Sequence, residues 1–162
     1  MLLGRPIMAD DSDWMAIQSN IKKTRARFAQ IEPLLMRDGA TMRISAYFYK
    51  ATCQAILLYG CETWTLSQSK MEHLIRFHNK MVRRLAKQNI RLDPNTQQWI
   101  YPAVAPLLNL LRMYPIETYI NKRKQYLLKY FIESSPSLDD VLTTMNTTTS
   151  RKDYWWNTTL QV

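Results

Sequence analysis

The sequence predicts a mainly α-helical domain, a bundle of about four to five helices, and three observations carry that prediction. Glycine is scarce, 3 residues in 162, which disfavours turn-rich all-β layouts. Apolar residues recur at three- and four-residue spacing over long stretches, as in helices that bury one face. The length suits one domain with a sizeable core, or one domain and a tail.

The first helix runs from about Ser12 to Arg37. In "DDSDW", Asp11 or Ser12 can accept from the exposed amides of the first turn, and Asp13 complements the helix dipole. Trp14, Ile17, Ile21, Phe28, Ile31 and Leu35 then recur on one face, and Gly39 offers a left-handed stop. The second helix is "TMRISAYFYKATCQAILLYG", with Gly60 just past its end. Its segment "AILLY" alone reads equally well as a strand, but the helical pattern upstream decides for helix. Ile44, Tyr47, Phe48, Ala51, Ala55 and Leu58 form the apolar stripe expected to face the core.

The third helix lies within "LSQSKMEHLIRFHNKMVRRLAKQN". Ser69 and Glu72 fit a capping box, with Thr65 and Ser67 as rival starts. Met71, Leu74, Ile75, His78, Met81, Val82 and Leu85 point one way, and basic residues crowd the rest of the surface. Asp93-Pro94-Asn95 then marks a turn between two short β-compatible pieces, room for a small hairpin near 89–101. A short helix follows in "AVAPLLNLLRMY". Pro115 opens the last helix, "PIETYINKRKQYLLKYFIES", where its missing amide costs nothing. Ile116, Tyr119, Ile120, Leu127, Tyr130 and Phe131 are its expected buried face. Three sections result: residues 1–11, a helical domain at 12–134, and a Ser/Thr/Asn-rich, weakly ordered tail at 135–162 with one short helix near Leu138 to Met145 and a Trp155-Trp156 pair.

The formal charge of +9 is concentrated. Residues 1–20 carry a net of −2, residues 21–91 a net of +10, and residues 92–162 a net of +1. An anionic partner should therefore meet the middle section. Three basic clusters stand out: Lys22, Lys23, Arg25 and Arg27; Arg76, Lys80, Arg83, Arg84 and Lys87; and Lys122, Arg123 and Lys124. Taken singly, each reads first as a solvated face. Taken together on separate helices, they could line one concave surface that tracks a phosphate backbone without reading sequence. Trp64, Trp99 and the terminal pair are aromatic enough to stack on bases, although Trp64 reads better as a packing anchor.

Enzymatic chemistry is poorly represented. "MADD", Met8 to Asp11, has the paired aspartates of a magnesium-binding hairpin, but its first residue is not aromatic and a helix start follows, so it reads as an acidic helix entry. His73 and His78 are five apart, roughly 140° around a helix, and cannot share a metal as an i, i+4 pair does. His78 reads as a core histidine with a hydrogen bond. Cys53 and Cys61 have no CxxC partner and suggest neither zinc nor a disulfide framework. No catalytic or metal-ligating residue is assigned, no cofactor is expected, and the sequons at Asn146 and Asn157 carry little weight without secretion. No apolar run approaches the ~20 residues that span a bilayer, and no secretory leader is visible. An intracellular location, nuclear or cytoplasmic, is expected.

The order of motifs closely resembles the region after the catalytic core of reverse transcriptases from non-LTR (LINE-type) retrotransposons. The resemblance rests on "LLGRPI", "DDSDW", "NIKKTRARFAQI", "MRISAYFYKATCQAILLYGCETWTLS", "FHNKMVRRLA", "WIYP", "PIETYINKRKQYLLKYFIES" and "RKDYWW", and spans nearly the whole chain. "LLYGCETWTL" is its most specific element. It implies a thumb and C-terminal extension: helices that clamp a template–primer duplex beside the palm, with Lys22, Lys23, Arg25, Arg83 and Arg84 as leading phosphate contacts and Gly60 and Trp64 as scaffold. Residues 1–11 would be a remnant of the palm's end. Where the family has Tyr-Leu-Gly, this chain has Leu2-Leu3-Gly4 directly after Met1. Fingers, palm and magnesium-binding aspartates would then lie outside it, so it is expected to be a fragment that cannot polymerise DNA alone. The expected partners are an RNA–DNA or DNA duplex and a reverse-transcriptase palm, with no membrane. The alternatives are a stand-alone helical nucleic-acid binder, a protein-interaction module, or the product of a decayed element.

Overall fold

A computed structural model describes residues 13–35 and 40–134. The caps at Asp11 and Ser12, the "MADD" and Leu2-Leu3-Gly4 segments, the Gly39 stop, the helix near 138–145 and the terminal Trp pair lie outside the described residues. The fold is mainly helical with one small antiparallel sheet. Helix α1 spans Trp14–Leu35, and its buried Ile17, Ile21, Phe28 and Leu35 follow the expected face. Helix α2, Met42–Tyr49, starts where the Thr41 hydroxyl accepts from the Ile44 amide at 3.3 Å. Its backbone continues through a π-helical turn, Lys50–Gln54, into α3, Ala55–Leu57. Gly60, in the left-handed conformation at φ 73°, ends the run as expected. A 3₁₀ turn at Cys61–Thr63 leads to α4, Gln68–Leu85, whose first flanking residue is Ser67, one of the two rival starts. Strands β1, Arg91–Leu92, and β2, Trp99–Ile100, form the hairpin. Helices α5, Val104–Leu111, and α6, Ile116–Ser134, complete the fold.

Two helices bury faces other than the expected ones. On α2, Ile44, Tyr47 and Phe48 are exposed, with Tyr47 at 67%. Ala51 and Ala55 are exposed as well, and of the expected stripe only Leu58 is buried. The core receives Ser45, Ala46, Tyr49, Cys53 and Leu57 instead. Small residues explain this. Ser45 and Ala46 let α2 approach the end of α1 closely, and the Ser45 hydroxyl donates to the Leu35 carbonyl at 3.0 Å. Bulky Tyr47 or Phe48 at that seam would hold the helices apart. On α6, Tyr130 and Phe131 face outward while Lys124 and Leu128 are buried.

The core gathers the buried faces of α1 to α6 and the corner that follows α3. That corner, from Leu57 to Thr65, has buried backbone groups that no regular helix satisfies. Side chains from distant elements meet them. Asn20 on α1 donates to the Tyr59 carbonyl at 2.9 Å and the Leu57 carbonyl at 3.4 Å. Asp13 accepts from the Thr65 amide at 2.6 Å. From α6, Arg123 donates to the Leu58 carbonyl at 3.0 Å and Lys124 to the Trp64 carbonyl at 2.8 Å. Trp64 is fully buried within this ring, the anchor its sequence context suggests.

His78 is the histidine of the core, fully buried, with Nε2 donating to the Tyr114 carbonyl at 3.2 Å. Burial holds its pKa down to about 4, from an ordinary 6.5, and the carbonyl contact opposes this only in part. Unfolding frees the ring to bind a proton, so the unfolded chain takes up more protons between those two values. The neutral ring's contribution is intact above pH 6.5 and is lost as pH falls toward 4, on the order of 3 kcal/mol in all. His78→Gln keeps a donor for Tyr114 and removes the titration. Urea unfolding of both proteins from pH 7 down to about 4.5 should show a steeper loss of stability in the wild type, and parallel curves would contradict this account.

Candidate nucleic-acid interface

The first and third basic clusters are each split between flanks and partners. On α1, successive residues turn by about 100°, so Arg25 and Arg27 point to nearly opposite flanks. Arg25 turns toward α4, its guanidinium 5.5 Å from the centre of the Phe77 ring. Lys22 and Lys23 are exposed on different flanks, and Arg27 bonds to Gln30 at 3.2 Å. The third cluster is divided by burial. Lys124 is 7% exposed and serves the Trp64 carbonyl, and burial lowers its pKa. Arg123 pairs with Glu62 at 3.3 Å in addition to its Leu58 contact. Lys122 is exposed and sits 4.8 Å from the centre of the Tyr114 ring. Lys124 is therefore withdrawn as a phosphate contact, and Arg123 is already committed inside the fold.

The second cluster is different. Arg76, Lys80 and Arg83 follow the four- and three-residue spacing that places them on one face of α4. Arg76 forms an exposed pair with Glu72 at 3.7 Å, and Lys80 is exposed. Arg83 donates through Nε to the Pro102 carbonyl at 3.0 Å, which ties α4 to the segment after β2. Arg84 turns toward α1, where its Nη2 meets both oxygens of Glu32 at 2.5 and 2.6 Å and its guanidinium lies 5.1 Å from the centre of the Phe28 ring. Its charge is largely balanced there, contrary to its expected lead role.

Helix α4 ends in a reciprocal pair of bonds: the Gln88 amide to the Arg83 carbonyl at 2.9 Å and the Lys87 amide to the Arg84 carbonyl at 3.0 Å. This closing motif wants a left-handed residue, usually glycine, and here Lys87 fills it at φ 55°. The strained position turns the chain sharply and starts the hairpin. Two adjoining clefts open at this turn. One, of about 350 Å³, is lined by Lys80, Arg83, Arg84, Asn89 and Ile90. The other, of about 630 Å³, is lined by Lys87, Gln88, Asn89, Arg91, Ile100 and Pro102. Asn89 is common to both. The sequence singled out Lys80, Arg83 and Lys87 for this site but passed over Arg91, Gln88 and Asn89. The signal for Arg91 was its place six residues past the basic helix, at the start of β1.

Among the described residues, no group of three His, Cys, Asp or Glu is arranged to hold a metal. Both cysteines are free and buried, and burial pushes the Cys61 thiol up to about 12, far from a reactive thiolate. No described helix is long and apolar enough to cross a membrane. No protein-family model, curated protein or solved structure matches the chain.

The reassignment of Lys124 is testable by stability. Lys124→Ala leaves the Trp64 carbonyl without its donor and should cost about 1–3 kcal/mol in urea unfolding. An unchanged midpoint would mean that the corner does not depend on this bond.

Proposed function

We propose that this chain is a thumb-like segment of a non-LTR-type reverse transcriptase, gripping the backbones of an RNA–DNA or DNA duplex through the paired clefts at the end of α4. The observation that supports it is the convergence of Lys80, Arg83, Lys87 and Arg91 on two adjoining recesses. Concave cationic surfaces attract polyphosphate and release its counterions, and such contacts position a duplex without reading bases. The "LLYGCETWTL" segment carries the family resemblance, and in the fold it is the corner that meets side chains of α1 and α6. In this reading catalysis and its magnesium belong to the polymerase palm, and this chain supplies grip.

A second reading rests on a separate observation. Ile44, Tyr47 and Phe48 give α2 an apolar outer face that suits a protein partner, such as the palm itself. Light scattering would separate the two: self-association that Tyr47→Ser/Phe48→Ser abolishes, without any nucleic-acid binding, favours the interaction module.

Fluorescence anisotropy with a blunt DNA duplex and an RNA–DNA hybrid tests the grip directly. With four cations engaged, the logarithm of the DNA binding constant should fall with the logarithm of salt at a slope of about −3 to −4. A flat response sinks the proposal. Lys87→Gly separates function from fold. Glycine relieves the left-handed strain and should raise stability by about 0.5–1 kcal/mol. The same change removes a phosphate contact, so affinity should drop on every sequence and the salt slope should shrink by about one. Unchanged affinity and an unchanged salt slope would place Lys87 outside the interface.

A further inference from the structure

The hairpin beside the clefts has two unlike faces. Arg91 pairs with Ile100, and Leu92 with Trp99. Side chains alternate along a strand, so Arg91 and Ile100 share one face while Leu92 and Trp99 share the other. Continuing the alternation one residue past each strand adds Ile90 and Tyr101 to the second face. All four of these residues are solvent-exposed: Ile90 at 40%, Leu92 at 41%, Trp99 at 60% and Tyr101 at 63%. Folding gains little from them. The Arg91 face borders the larger cleft, and Ile90 borders the smaller one. A cationic recess therefore meets each face of the hairpin at its base.

We propose that the Trp99–Tyr101 face is a stacking platform for unpaired bases, so that the preferred ligand is a duplex carrying a single-stranded overhang. This rests on the duplex-grip reading and names the form of nucleic acid it takes. A partner here must be anionic at the hairpin's base and flat and apolar along its side. Unpaired nucleotides combine both features, whereas a blunt duplex hides its base faces. Stacking on aromatic side chains tolerates any base, in keeping with a site whose charges do not read sequence. An anionic bilayer offers a single flat surface and cannot reach cations on both faces of the hairpin. The hairpin is anchored where stacking needs it. The Asp93 carboxylate accepts from the Asn95 amide at 2.9 Å, the Asp93 amide donates to the Gln98 carbonyl at 2.8 Å, and Arg83 holds Pro102.

The test uses the full chain with a 20-base-pair blunt duplex and the same duplex bearing a six-thymidine overhang, read by anisotropy at fixed salt. The overhang should improve affinity about five-fold or more. Trp99→Ala should remove that advantage, with a much smaller effect on the blunt duplex, and Trp99→Phe should keep most of it. Equal affinity for both ligands, or an advantage that survives Trp99→Ala, overturns the platform and leaves the duplex grip standing. Failure to bind either ligand overturns both. Sedimentation with phosphatidylserine vesicles and light scattering cover the rival occupants. Vesicle binding or dimerisation that Trp99→Ala abolishes, without an overhang preference, assigns the face to lipid or to a second copy and overturns the inference.

Discussion

The unmet backbone of the corner between α3 and α4 is the constraint on which the rest of this fold depends. A chain that leaves a helix inside a core carries carbonyls and amides that water cannot reach, and each must find a partner or cost one to three kilocalories, roughly. Here the partners come from both ends of the sequence: Asp13 and Asn20 on one side, Arg123 and Lys124 on the other. The corner therefore fixes the first and last described helices relative to the middle of the chain. It also sets the position of Trp64, which fills the space those helices enclose. The left-handed glycine at position 60 is the hinge of the corner, and nothing lies within 4 Å of where a Cβ would stand, so its value is conformational rather than steric.

The same constraint sorts the cations. A basic side chain that is buried on a carbonyl or paired with a carboxylate is drawn into the fold, and one that is neither stays available to a partner. Arg123 and Lys124 belong to the first kind, as does Arg84 against Glu32. Among the described residues, Lys80, Lys87 and Arg91 form no ion pair with a carboxylate, and they line the clefts where α4 ends. Lys87 itself stands at the left-handed close of that helix, where the Lys87 and Gln88 amides bond its last carbonyls. A second helix repeats the device: α5 also closes with a reciprocal bond pair, and Arg112 holds its left-handed position at φ 51°. A chain this poor in glycine stops these helices on cations.

That habit explains what the sequence conveyed and what it hid. Helices α1 and α4 were legible because each has one apolar face and one polar face, and the hairpin was legible because Asp93, Pro94 and Asn95 announce a turn. Helix α2 is apolar on two faces. Periodicity cannot rank them, and the larger side chains drew the reading toward Tyr47 and Phe48, whereas close helix approach selected Ser45 and Ala46. Lys124 was illegible for a different reason. Its burial follows from a carbonyl sixty residues earlier in the chain, a contact no local pattern encodes. Of the candidate site, the helical stripe of Arg76, Lys80 and Arg83 could be read from spacing, but the recess could not. It exists because the chain reverses at Lys87, and lysine in a left-handed position leaves no compositional trace.

The hairpin shows how the two effects join. Two residue pairs are too few to hold a sheet by themselves, and its outer face gains little from burial. Its orientation must come from its base, where Arg83 bonds the Pro102 carbonyl and Lys87 turns the chain. These residues also line the clefts. A ligand that draws on their charge therefore acts on the struts of the hairpin as well. The shape of the recess and the pose of the aromatic face therefore rest on the same two residues, Arg83 and Lys87.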